Sequence, residues 1–377
     1  MIASEISQQP LASEEPTGLT EQEVTDLETP EAQASQVVYS GQDFDVIGLV
    51  RRLQHEDILI PTFGHEDTRI EAAGFQRSFV WNRPQMDKFI ESILLGYPIP
   101  GIFLVKQPDK RYLVLDGQQR LSTLRHFQEG IYSGREFSLR NASDEFKGLT
   151  YKSLPDDMRR QFDNTFIQAI IVTSDGTKES MNSVYNIFER LNSGGTQLTP
   201  HEIRVALYAG AFIDYIESLN RYPSWRNLYG AQSARLRDQE LVLRIIALFL
   251  NGNNYKRPLK KFLNDFTADN REALSPSLDQ ARQLFEIATD KILASYGRDS
   301  IRLRGAQVTA ALAEVLIAGL MFRLSTTPSH PAEDAIRGAV KFLKEDNDLS
   351  VSFTRSTADE EQLTKRLNAA KEAFARL

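Results

Sequence analysis

The chain has 377 residues, 25% of them charged and 41% hydrophobic, with a formal net charge of −7. It contains no cysteine, which excludes disulfides, thiolate zinc sites and thiol catalysis. No stretch approaches the ~20 uninterrupted apolar residues of a membrane span, and the opening Met1-Ile2-Ala3-Ser4-Glu5 lacks the basic and apolar regions of a secretory leader, so a cytoplasmic protein with no membrane partner is expected. The charge is uneven: residues 1–50 hold ten acids and no lysine or arginine, leaving 44 basic against 41 acidic residues in the remainder. Residues 1–42, rich in Ser, Glu, Gln, Thr and Pro, are expected to form a disordered acidic tail. Such a tail acts as a solubilising leader or as a nucleic-acid mimic that shields a basic groove.

From Phe44 onward, short apolar runs alternate with helical spacing. Phe79-Val80-Trp81, Ile102 to Val105 and Tyr112 to Leu115 are strand candidates. Pro84 to Leu95 reads as a helix with Met86, Phe89, Ile90, Ile93 and Leu94 on one face, stopped by Gly96 and Pro98. This βαβ-like unit, followed by a strand–turn–helix at Asp116, predicts a small mixed sheet of about 130 residues. Phe166 to Val172 is a last strand, since β-branched residues dominate it. Helical patterns then take over at Ser183–Leu191, Thr199–Leu207, Ala211–Leu219, Asp238–Leu250, Asp279–Leu293 and Val308–Phe322. Thr199-Pro200-His201-Glu202 has the form of an N-cap, a first-position proline and a first-turn acid. The chain is therefore expected to be α+β, with a mixed domain at 43–178 and an α-helical domain at 179–377.

Three constellations could carry chemistry. In Asp116-Gly117-Gln118-Gln119-Arg120, the glycine permits a tight turn, the glutamines offer donors and acceptors, and Arg120 supplies a planar fork for phosphate oxygens. Asp116 could hold a divalent ion or orient a water; an N-capping aspartate at an ordinary strand-to-helix junction fits the same residues. Gln76 and Arg77 precede an aromatic strand and could reach the same pocket, or could blunt a sheet edge. Asn192-Ser193-Gly194-Gly195-Thr196 could form an anion nest, or a glycine turn between helices.

Taken in order, Phe75-Gln76-Arg77 with Phe79-Val80-Trp81, Phe89 to Pro100, Asp116 to Leu124 and Phe188 to Arg204 resemble the DGQQR-type domain. That domain forms the N-terminal half of GmrSD-type, modification-dependent restriction systems. Arg237 to Arg244 and Tyr255 to Leu263 also resemble the family's helical part, so the likeness spans roughly residues 44–270. The resemblance implies a ParB/sulfiredoxin-like fold followed by a helical region, in which the arginine-bearing loop contacts nucleotide phosphates and nucleotide binding or hydrolysis is coupled to DNA restriction against phage. Sulfiredoxin chemistry itself needs a cysteine and is excluded. By motif, Asp116, Gln118, Gln119 and Arg120 become the expected catalytic loop. Gln76, Arg77, Gly117, Arg120 and Asn192 to Thr196 (Asn192, Ser193, Gly194, Gly195, Thr196) are the expected nucleotide contacts. Large members append a His-Asn-His nuclease domain, whereas the five histidines here are His55, His65, His126, His201 and His330; a nuclease step is expected of a partner subunit or of the DGQQR site.

The helical half carries basic clusters at Arg235, Arg237 and Arg244, at Lys256, Arg257, Lys260 and Lys261, and at Arg302 with Arg304. With Tyr255 and Phe262 interleaved, Lys256, Arg257, Lys260 and Lys261 are the candidate DNA contacts; solvated helix faces explain them as well. The leading expectation is an NTPase component of a bacterial restriction or antiphage system. It would use Mg²⁺ held by Asp116, with nucleoside triphosphate as ligand, DNA and a neighbouring defence subunit or nuclease as partners, and homo-oligomers allowed. The alternatives are a metal-dependent DNA nickase using the DGQQR loop with Asp116 and Glu202, and a non-enzymatic nucleotide-gated adaptor that recruits a nuclease or toxin.

Overall fold

The computed structural model describes residues 20, 23–24, 37–61, 81–191, 198–273, 275–327, 329–354 and 357–377. The chain divides into two compact units, Glu31–Leu207 and a second made of Met1–Pro30 with Tyr208–Leu377. The architecture is α+β, as expected, with a mixed sheet in the first unit and helices throughout the second.

The first unit is built on β1 (Val38–Asp45), α1 (Val46–Gln54), β2 (Ile58–Leu59), α2 (Arg83–Leu94), β3 (Ile102–Lys106), β4 (Tyr112–Asp116) and α3 (Gln118–Glu129). A small hairpin, β5 (Ile131–Tyr132) with β6 (Arg135–Glu136), follows, then α4 (Asp156–Asp163), β7 (Phe166–Thr173), α5 (Lys178–Leu191) and α6 (Pro200–Leu207). The five-stranded sheet has the order β1-β7-β3-β4-β2. β1 runs antiparallel to β7, β3 parallel to β7 and antiparallel to β4, and β2 parallel to β4.

Period-two alternation decides what each face buries. Ile102, Leu104, Val114, Ile167, Ala169 and Ile171 share a core with Val46, Leu49 and Val50 of α1, Phe89, Ile90 and Ile93 of α2, and Leu121, Leu124 and Phe127 of α3. Val105, Leu113, Leu115 and Val172 are buried outside that core, and α5 packs on β4. Because α5 belongs to the sheet and Tyr185 Oη donates to Pro200 O (3.0 Å) to tie α6 to α5, the unit ends after Leu207 rather than at residue 178.

Two other expectations change. The acidic tail does not reach residue 42, because Val38–Asp45 is a strand registered against β7 from Val38↔Thr173 to Asp45↔Phe166. Nor is Glu23 solvated: it is 8% exposed and ion-paired with Arg237. Trp81 lies outside any strand, while Phe79 and Val80 fall outside the described residues.

The second unit contains α7 (Ala211–Asn220), α8 (Pro223–Tyr229), α9 (Arg237–Asn251), α10 (Leu259–Asp269), α11 (Pro276–Tyr296), α12 (Ala310–Thr326), α13 (Glu333–Glu345), α14 (Asn347–Thr354) and α15 (Glu360–Ala375). α12 is its axis. It buries residues on every side, from Ala311 to Leu324, and Gly319 lets α15 come so close that a Cβ there would sit 3.0 Å from the Ala370 Cβ. At its centre Glu314, 0% exposed, pairs with Arg366 of α15 (3.3 Å) and with Arg244 of α9. No described helix is long and apolar enough to cross a membrane.

Candidate functional site

The site begins with a backbone constraint. β4 ends at Asp116, and Gly117 then adopts φ 96°, ψ 8° as the N-cap of α3. A Cβ at Gly117 would lie 2.5 Å from Ile102 Cγ2, so both the left-handed conformation and the close approach to β3 demand glycine. The cost of using glycine is a helix start with no side-chain cap, which leaves first-turn N–H groups oriented for an anion.

Arg120 is engaged in a different way from the sequence expectation. Its Nη1 donates to the carbonyls of Pro100 and Gly101 (2.8 Å to the latter), and its Nη2 donates to Asp116 Oδ2 at 2.7 Å. The Arg120 side chain is 12% exposed and that of Asp116 41%. The guanidinium therefore clamps the Pro100-Gly101 segment to the turn, and the solvent-facing group of the pair is the carboxylate. These bonds use three of the five guanidinium N–H groups, and the remaining two, on Nε and Nη2, are the donors that a phosphate contact through Arg120 would use.

The two glutamines differ. Gln119 Oε1 accepts the Trp81 N–H at 2.9 Å, so it anchors the backbone entering α2; Gln118 is half-buried in the first turn of α3. Gln76, Arg77 and the run Asn192, Ser193, Gly194, Gly195, Thr196 lie outside the described residues.

The carboxylate pair of the nickase alternative is not supported by the placement of Glu202. Glu202 is 0% exposed and its Oε2 accepts the Thr199 N–H (2.7 Å) while Thr199 Oγ1 accepts the Glu202 N–H (3.1 Å), a capping box that explains the motif structurally. Among the described residues no group of three Asp, Glu or His side chains is placed to hold a metal ion. A cation at this turn would have Asp116 as its protein ligand, which suits Mg²⁺ that keeps water and phosphate oxygens in its shell.

Sequence reasoning missed the anchor beside the site. Asp87, 0% exposed, accepts from the N–H groups of Arg140 and Asn141 (both 3.0 Å) and from Asn141 Nδ2 (2.8 Å). Arg83 pairs with Asp87 at 3.1 Å, lies 3.9 Å over the Phe137 ring and donates to Ser138 O. Burial pulls the Arg83 pKa down while Asp87 works against that shift. The signal was an acid on the apolar face that also carries Met86, Phe89 and Ile90.

Four of the nine residues in the basic clusters of the helical unit are buried. Lys260, Arg235, Arg244 and Arg302 are between 2% and 7% exposed. Arg302 donates to the carbonyls of Leu228, Tyr229, Arg298 and Ala306. Of the candidate DNA contacts Lys256, Arg257 and Lys261 reach solvent, paired with Glu360, Asp359 and Asp265 respectively. Lys260 is withdrawn from that face because it sits on the buried side of α10.

The first unit is a mixed α+β domain in which β4 hands an Asp-Gly-Gln-Gln-Arg turn to a helix with no side-chain cap. Residues 60–209 match the family model described as GmrSD restriction endonuclease, N-terminal domain. No curated protein matches the chain.

Proposed function

We propose that this chain is the nucleotide-handling component of a bacterial DNA restriction or antiphage defence system. The family match supports the system, and the turn at Gly117 supports the ligand. The observation that carries the reading is a helix start with no side-chain cap next to a carboxylate that is 41% exposed. First-turn N–H groups of α3 bind a phosphate, and Gln118 adds a side-chain donor. Asp116 holds Mg²⁺ or orients the attacking water, and Arg120 fixes Asp116 and the Pro100-Gly101 backbone so that this geometry persists. Nucleotide state then biases the domain toward contact with DNA and a partner nuclease.

Calorimetric titration with ATP, GTP, CTP and UTP in the presence of Mg²⁺, on wild type, Gln118→Ala and Asp116→Asn, tests this. One triphosphate is expected to bind; Gln118→Ala weakens it about tenfold, a loss on the scale of one hydrogen bond to a charged group. Asp116→Asn is expected to retain binding and to lose turnover by on the order of 10² or more. Normal hydrolysis by Asp116→Asn rejects the catalytic assignment.

The engagement of Arg120 favours one further reading, that of a nucleotide-gated adaptor without turnover. With three of its N–H groups bonded to Asp116 and two carbonyls, the Arg120 guanidinium serves the resting turn as a strut. Nucleotide binding with no hydrolysis by wild type, together with nucleotide-dependent capture of a nuclease encoded beside it, supports that reading over the first.

A further inference from the structure

The start of α9 holds the carboxylate of a residue 214 positions away. Arg237 Nε donates to Glu23 Oε1 at 2.9 Å and Arg237 Nη2 to Glu23 Oε2 at 2.8 Å, a two-bond fork. Side-chain exposures of 16% and 11% make it a largely enclosed pair. Glu23 is preset for the contact by Thr20: the Thr20 N–H donates to Glu23 Oε2 (2.7 Å) and Thr20 Oγ1 accepts the Glu23 N–H (3.2 Å). Thr20-Glu21-Gln22-Glu23 is thus a capping-box sequence whose acid serves two partners.

The platform behind Arg237 is rigid. Asp238, 0% exposed, accepts from Arg226 Nη1 (2.6 Å) and Asn220 Nδ2 (3.1 Å); Gln239 Nε2 donates to Glu217, which also pairs with Arg221 at 3.0 Å. Trp225 Nε1 donates to Asn220 Oδ1 at 2.9 Å, so α7, α8 and α9 are bonded together at this end. A guanidinium fork held this way accepts carboxylate and phosphate oxygens with the same two-bond geometry.

The occupant is unusual in its company. Eight acids and no basic residue precede β1, a charge pattern of a polyanion rather than of an isolated structural glutamate. Arg237 therefore grips one acid of a sequence whose charge pattern is that of a polyanion. We propose that the fork of Arg237 is a contact site for a nucleic-acid phosphodiester, and that Glu23 fills it in the resting protein as an intrachain competitor. The Glu23 contact then sets the threshold at which a phosphate gains Arg237. This proposal is independent of the nucleotide assigned to the DGQQR turn.

The test uses the full chain. Because it has no cysteine, Val24→Cys gives a single attachment point for a nitroxide at a residue 38% exposed. A DNA duplex of about 20 base pairs is titrated at low salt, where phosphate contacts are strongest. Expected is a sharpening of the nitroxide spectrum in step with duplex binding. Glu23→Gln should bind the duplex roughly tenfold more tightly, as removal of a dominant closed state predicts, and its spectrum should be sharp before DNA is added. Arg237→Gln should weaken binding. The charge swap Glu23→Arg with Arg237→Glu should restore the broad spectrum but not the DNA affinity, which separates a phosphate site from a structural strut. Unchanged affinity in Glu23→Gln, full DNA affinity in the swapped variant, duplex binding without sharpening, or no duplex binding by any variant each overturns the proposal.

Discussion

Arg120 and Arg237 both stand in the first turn of a helix and both grip a carboxylate, yet the two regions use the pair in opposite ways. Arg120 holds Asp116, four residues earlier, together with two carbonyls of the neighbouring loop. Arg237 holds Glu23, brought from the far N-terminal end of the chain. A locally closed clamp is part of the fold and cannot release without disturbing β4 and α3. A clamp closed by a distant segment can open by moving that segment alone. The Arg237 contact spans 214 positions and depends on the placement of a remote residue, whereas Arg120 and Asp116 belong to one strand–turn–helix.

The largest effect is expected of Arg120→Ala. It should lower stability by about 3 kcal/mol, the scale of lost charge-assisted bonds after discounting the solvent-facing Asp116. Urea denaturation measures this, and Arg120→Lys should recover less than half, because an ammonium cannot reproduce the planar fork. Stability unchanged in Arg120→Ala would show that the clamp is not structural. Gly117→Ala should cost about 2 kcal/mol from left-handed strain and the clash with Ile102, read by the same denaturation.

Smaller effects sharpen the picture. Gln119→Ala removes the acceptor of the Trp81 N–H and should cost about 1 kcal/mol. With Trp225→Phe as background, Trp81 is the remaining tryptophan, and its emission should shift to the red as the segment loosens. The Glu23 contact should respond to acid. Burial alone would raise the Glu23 carboxyl, but the Arg237 and Thr20 donors outweigh it and hold it below its ordinary value of 4.5. Its stabilising share is therefore complete above pH 4.5 and lost as the pH falls through the lowered value. The nitroxide at residue 24 should sharpen only in that acidic window; sharpening near neutral pH would point to another group. Smallest of all, Lys256→Ala should leave the thermal midpoint unmoved, since its pair with Glu360 is exposed.

Much of the first unit was legible because its strands are β-branched runs cut by turn residues. Ile102–Lys106, Tyr112–Asp116 and Phe166–Thr173 lie where the pattern puts them, and α2 begins at Arg83 with Asn82 and Gln85 forming its capping box. Val38–Asp45 escaped notice for a physical reason. It is an edge strand exposed along six of its eight residues, so no apolar alternation marks it, and its pairing with β7 is non-local. At the site the motif was legible but the direction of the Arg120 side chain was not, because its acceptors are backbone carbonyls about twenty residues away in the chain. The basic clusters misled for a similar reason: charge count does not reveal that Arg244 faces Glu314 and Arg302 faces four carbonyls.

The Glu314 centre of the helical unit has a consequence for how this sequence can change over time. One acid there answers two arginines, so losing Glu314 leaves two guanidinium groups in the interior without it. That loss costs about 3–5 kcal/mol, a large share of the stability of an ordinary domain, whereas losing one arginine leaves the acid paired with the other. Position 314 is therefore the fixed point of the three: it can turn apolar without that penalty when 244 and 366 pass with it to side chains of similar volume.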